Sequence, residues 1–86
     1  MSRPEILRHI GAVLYGPDWQ RALARALGEF HPGGPRRWID DRLVRRWASY
    51  ERPVPDWVGP AVATLLERHD GELRSARGAL EKWHAE

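Results

Sequence analysis

Apolar residues recur at helical spacing along most of the chain, and no stretch alternates apolar with polar residues as a half-buried strand does. Ser2 is placed to cap a first helix, with Pro4 in its first turn and Glu5 three residues after the cap. Ile6, Leu7, Ile10, Val13 and Leu14 then fall on one face and predict a buried stripe. Gly16-Pro17 stops that helix and starts another. Asp18 sits where a helix N-terminus favours negative charge. Trp19, Leu23, Ala26 and Leu27 give the second helix its apolar face, while Arg21 and Arg25 share its solvent side. Gly28 is expected to close this helix as a C-terminal glycine.

From Glu29 to Trp38 the chain reads as a loop, because His31-Pro32-Gly33-Gly34-Pro35 cannot continue a helix. Asp40 or Asp41 then caps a third helix that ends near Tyr50. Leu43, Val44 and Trp47 point one way along it; Arg42, Arg45, Arg46 and Ser49 cover the other side. Pro53-Val54-Pro55 is an extended connector. Asp56 is placed to cap a fourth helix with a wide stripe of Trp57, Val58, Ala61, Val62, Leu65 and Leu66, and with Pro60 in its first turn. Asp70-Gly71 marks a break or kink before a fifth helix carrying Leu73, Ala76, Leu80 and Trp83. The expected fold is all-α: one domain over residues 1–86, a compact bundle of four or five short helices.

Composition narrows the class. At 86 residues with 42% hydrophobic and 30% charged residues, the chain is too apolar for a disordered segment and too polar for a membrane protein. The N-terminal segment lacks the unbroken apolar core of a signal peptide, and there is no cysteine; both point to a cytoplasmic protein. Thirteen of the fourteen basic residues are arginine. From Arg36 to Arg52 six arginines face Asp40, Asp41 and Glu51, a local net charge of +3. From Pro53 onward four basic residues face six acidic ones, a net of −2. A basic centre followed by an acidic tail suits contact with a polyanion.

The segment from Trp19 to Gly28, with its Leu23-Ala24-Arg25-Ala26-Leu27-Gly28, and the run Val44-Arg45-Arg46-Trp47-Ala48-Ser49 followed by Glu51-Arg52-Pro53-Val54-Pro55 resemble the helix-turn-helix of Cro/CI-like (XRE-type) regulators of bacterial and phage origin. The similarity covers roughly residues 17–66, with the core motif at 17–52. It implies a sequence-specific DNA-binding regulator, a repressor, that places the third helix in the major groove of double-stranded DNA. In that role Arg42, Arg45, Arg46 and Ser49 read bases or grip phosphates, and Arg36, Arg37 and Arg52 grip the backbone. A homodimer on paired half-sites is implied as well, with the C-terminal helices at 56–84 packing the core or forming the dimer surface. Two features depart from the family pattern. Twelve residues separate Gly28 from Asp41, where a turn of about four is usual. Tyr50 stands where the family favours glycine, so the third helix is expected to run a turn further or to end differently.

Other chemistries find less support. The arginine face has a plainer reading as a solvated surface paired with Asp41 and Ser49, and Arg36-Arg37 as an exposed loop. Trp19, Trp47, Trp57 and Trp83 fall on apolar faces and are expected in the core; Trp38, in the insert, is expected to cover it. His9, His31, His69 and His84 are dispersed, which with no cysteine argues against a metal site. Asp40-Asp41 is explained by capping, and no catalytic constellation or cofactor motif stands out, so an enzyme is not expected. The chief alternative is a small phage-type protein-binding module or host-defence inhibitor that keeps the helix-turn-helix shape, favoured by the insert 29–39 and by Tyr50. RNA binding through the same face is weaker, since no aromatics alternate with the arginines.

Overall fold

The computed structural model describes residues 1–85, with side chains through Trp83; His84 is thus outside the described side chains. The described chain is all helical: α1 (Arg3–Tyr15), α2 (Trp19–Leu27), α3 (Asp41–Ala48) and α4 (Val58–Ala85), with one 3₁₀ turn at Gly28–Phe30. No described helix is long and apolar enough to cross a membrane.

The start of α1 follows its sequence signal. Ser2 is extended at the N-cap, and its hydroxyl accepts the Glu5 N–H at 3.3 Å. The predicted stripe is narrower than expected, because only Leu7 is fully buried, Ile10 and Leu14 are partly buried, and Ile6 and Val13 are exposed. The buried contact of α1 is made instead by Gly11, against which the Trp19 ring lies so closely that a Cβ would overlap it. The core is a single cluster: Leu7 of α1, Trp19, Leu23, Ala24 and Leu27 of α2, Val44, Trp47 and Ala48 of α3, Val58, Ala61, Val62 and Leu65 of α4, closed by Ile39 and Val54 from the connections. Trp57 packs edge-on against Trp47, ring centroids 6.3 Å apart, and against His31 at 5.8 Å.

Gly28 is the C-cap of α2, as its sequence position suggests, but it does not make the left-handed turn of a terminating glycine. Its backbone is right-handed helical, φ −54°. What requires glycine is the approach of the insert: a Cβ at Gly28 would overlap the Arg36 carbonyl and lie 2.7 Å from Trp38 N. The insert is bonded to α2 there, Arg36 N–H to the Gly28 carbonyl at 2.8 Å and Ile39 N–H to the Ala24 carbonyl at 3.0 Å. Arg68 of α4 pins the other end, paired with Glu29 at 2.6 Å and lying over the Phe30 ring.

The predicted break at Asp70-Gly71 does not occur. One helix of 28 residues runs from Val58 to Ala85, in place of separate fourth and fifth helices. Glycine within a helix costs only about 1 kcal/mol, too little to end one that is anchored on the bundle. Asp56 does not begin this helix; its carboxylate pairs with Arg3 at 2.7 Å, and Arg3 also donates to the Val54 carbonyl. Every described residue from Asp70 to Trp83 is exposed, so the second half of α4 projects from the bundle and stretches the molecule to 52 × 28 × 19 Å. Leu73, Leu80 and Trp83 therefore do not seal the core.

Candidate nucleic-acid interface

Asp40, in extended conformation, caps α3 by accepting the Arg42 N–H at 2.9 Å. Val44, Trp47 and Ala48 are buried, which fixes the rotation of this eight-residue helix. At 100° per residue Arg42, Arg45, Arg46 and Ser49 then occupy an arc of about 100° on the opposite side, and all four are exposed. The helix is about 12 Å long, close to the width of a DNA major groove.

The arginines are not equally available. Arg42 Nε lies 3.7 Å from Asp40, and Arg45 is 3.3 Å from Asp41 one turn back. Pairs this exposed are worth at most about 1 kcal/mol and yield readily to a phosphate. Arg36, Arg37, Arg46 and Arg52 form no ion pair among the described residues. Ser49 spends its hydroxyl on the Arg46 carbonyl at 3.3 Å.

The C-terminus of α3 is held by α1. The helix ends at Ala48, and Tyr50 itself takes the left-handed conformation, φ 66°, with Glu51 and Arg52 N–H groups both returning to the Arg46 carbonyl. So the helix does not run a turn further; a tyrosine performs the turn that a glycine makes at lower cost. Its hydroxyl lies 3.0 Å from Ser2 Oγ and donates to Glu5 at 3.2 Å, while Arg8 sits over its ring and donates to the Ala48 carbonyl at 3.3 Å. The Ser2 and Tyr50 hydroxyls, in that order of effect, hold the Glu5 carboxyl below the usual glutamate range.

The insert adds a second part to the surface. Trp38, expected to cover the core, is 58% exposed, because Ile39 fills the core position beside it. It stands as a ridge between two open grooves. One is lined by Arg36, Arg42 and Arg52 together with His31, Trp57 and Pro53. The other is lined by Arg21, Arg25, Ala24 and Asp41. The fold thus gathers Arg36, Arg42 and Arg52 in one groove. It leaves Arg45, Arg46 and Ser49 outside both, further along α3, and Arg37 exposed outside both grooves. Arg21 and Arg25 are the additions that sequence reasoning left out of the site, although their four-residue spacing on the solvent side of α2 was visible. Among the described residues no group of carboxylates and histidines is arranged to hold a metal ion. Compared with known protein families, curated proteins and solved structures, the chain matches none of them.

Proposed function

We propose that this protein is a sequence-specific regulator of transcription, a repressor, that reads double-stranded DNA with α3 in the manner of a helix-turn-helix with an enlarged turn, acting in the bacterial cytoplasm on the nucleoid. The observation that carries the reading is the exposed Arg42–Arg45–Arg46–Ser49 face on a helix whose other side is locked by Val44, Trp47 and Ala48. Arg36 and Arg52 line one groove together with Arg42 of the same helix, and would clamp phosphates beside a groove-bound α3. A homodimer would place two such helices on paired half-sites. Selection of bound DNA from a random duplex pool tests the proposal: an enriched inverted repeat is expected, and a pool that never enriches rejects it. Arg45→Glu together with Arg46→Glu should remove binding while leaving the melting temperature nearly unchanged, because both side chains are exposed.

A second reading has its own observation. Trp38 is a large exposed aromatic on a loop fastened at both flanks, the arrangement of a protein-binding anchor. A phage-type protein-binding module would lose activity with Trp38→Ala and keep it with the double arginine reversal. The DNA reading expects the opposite ranking.

A further inference from the structure

The projecting half of α4 is a poor helix to leave alone. It continues an anchored helix, but nothing of its own chain covers it from Asp70 to Trp83, and Gly71 and Gly78 in its interior each cost about 1 kcal/mol relative to alanine. It also displays Leu73, Leu80 and Trp83 at 43%, 55% and 76% exposure. Leu66, Leu73 and Leu80 recur every seven residues; His69, Ala76 and Trp83 recur every seven, three residues later. This is the a/d pattern of a two-helix coiled coil, with Gly71 and Gly78 on the side away from the seam. Leu66 is half-buried and is not among the residues packed on the core, so the seam can start at the edge of the bundle.

We infer that two copies of this chain pair through the second half of α4, antiparallel, about a two-fold axis between Leu73 and Ala76. The choice of a second copy and of its direction rests on size and charge. In a parallel pair each layer meets itself, which puts Ala76 on Ala76, leaving a gap, and Trp83 on Trp83, overfilling the next layer. In the antiparallel pair Leu66 meets the partner's Trp83, His69 meets the partner's Leu80 and Leu73 meets the partner's Ala76. Every layer then holds one leucine against one residue of the other series. At the flanks Asp70 faces the partner's Arg77, twice by symmetry, an attractive pair at each end. Such a pair places the two bundles at opposite ends of the joined helices. The inference supplies the dimer surface left open by the DNA reading, and it is tested without DNA so that either can fail alone.

The experiment is sedimentation equilibrium on the full chain across roughly 10 to 500 µM, the range that brackets a micromolar dissociation constant. The expected mass rises toward twice the 9.9 kDa of one chain. Leu80→Glu should weaken association about 100-fold or more, because it buries a carboxylate in two symmetry-related layers. Arg77→Asp should weaken it about tenfold, and adding Asp70→Arg should restore it. None of these residues touches the core, so an unchanged thermal melt of the bundle certifies each variant as folded. A chain that stays at 9.9 kDa at the highest concentration, or a Leu80→Glu variant that still dimerises, overturns the inference. So does failure of Asp70→Arg to rescue Arg77→Asp. Rescue by Glu72→Arg instead would establish parallel pairing, where Glu72 is the residue that faces the partner's Arg77.

Discussion

Tyr50 concentrates several opposing effects in one residue. A left-handed backbone costs an ordinary side chain about 1–2 kcal/mol, and here it is offset by what the ring and hydroxyl reach: Ser2, Glu5 and Arg8 of α1. The residue that ends α3 therefore also fastens α3 to α1. Tyr50→Phe keeps the strain and the ring but removes the hydroxyl, so it should lower the melting temperature at neutral pH. The deficit depends on pH in a stated direction. Because the folded state lowers the pKa of Glu5, that contact stabilises the fold above the ordinary glutamate range and is lost as pH falls through the depressed folded value. Wild type and Tyr50→Phe should thus converge in acid, which parallel thermal melts from neutral pH downward will check. Gly28 is the second decisive residue. Gly28→Ala forces a methyl into the Arg36 carbonyl, and it should destabilise by about 1–3 kcal/mol, as overpacking does, measured by denaturant titration. Chain order alone marks Gly28 as a helix terminator; its actual role depends on a loop returning eight to ten residues later, which no local pattern encodes.

At the scale of elements, α2 and α3 behave as their periodicity predicts, and the connections do not. Apolar spacing is enough to mark the buried sides of α2 and α3, since a face of a helix is set by 3.6 residues per turn whatever it packs on. Whether a stripe has anything to pack on is a different matter. Leu73 and Trp83 lie on a valid stripe and are exposed because the bundle ends before it reaches them, whereas Ile6 and Val13 are exposed because α1 buries a narrower face, centred on Leu7 and Gly11. The continuity of α4 through Gly71 likewise depends on anchorage by Val58, Ala61, Val62 and Leu65 rather than on local propensity. Replacing Gly71 and Gly78 by alanine should each add about 1 kcal/mol to the helicity of the projecting half. Circular dichroism should register a rise in helical signal, while the melting temperature of the bundle stays put because no Cβ at either position meets another group.

For the whole molecule, the features to explain are a compact body with an arginine-bearing surface and a rod that leaves it. Charge follows the same division. The surplus of arginine lies at residues 36–52, on α3 and the segments that flank it; on the rod, Asp70, Glu72 and Glu81 are balanced by Arg74, Arg77 and Lys82. A polyanion would be drawn to the arginine surface of the body rather than to the near-neutral rod. If a dimer neutralises about 8 phosphates, the logarithm of its affinity for DNA should fall with the logarithm of salt with a slope near −7; a slope near zero rejects phosphate contact. Tryptophan accessibility gives a second whole-molecule readout. Trp38 and Trp83 are open to an aqueous quencher, whereas Trp19 and Trp47 are not. DNA should shield Trp38, and raising the protein concentration without DNA should shield Trp83.

The amino-acid sequence by itself determined the all-helical class, the cap at Ser2, a cap within the Asp40-Asp41 pair, the buried Val44–Trp47 side of α3 and the arginine side opposite, because each depends only on helical period and on backbone groups within a few residues. Tertiary structure alone decided that Trp38 stands exposed between two arginine-lined grooves, that Tyr50 closes α3 by leaning on α1, that Arg21 and Arg25 join the surface, and that α4 continues unbroken out of the bundle. Each of these depends on which distant segment arrives at a given place. That is settled by how one small core of fourteen buried residues is filled, not by any pattern along the chain.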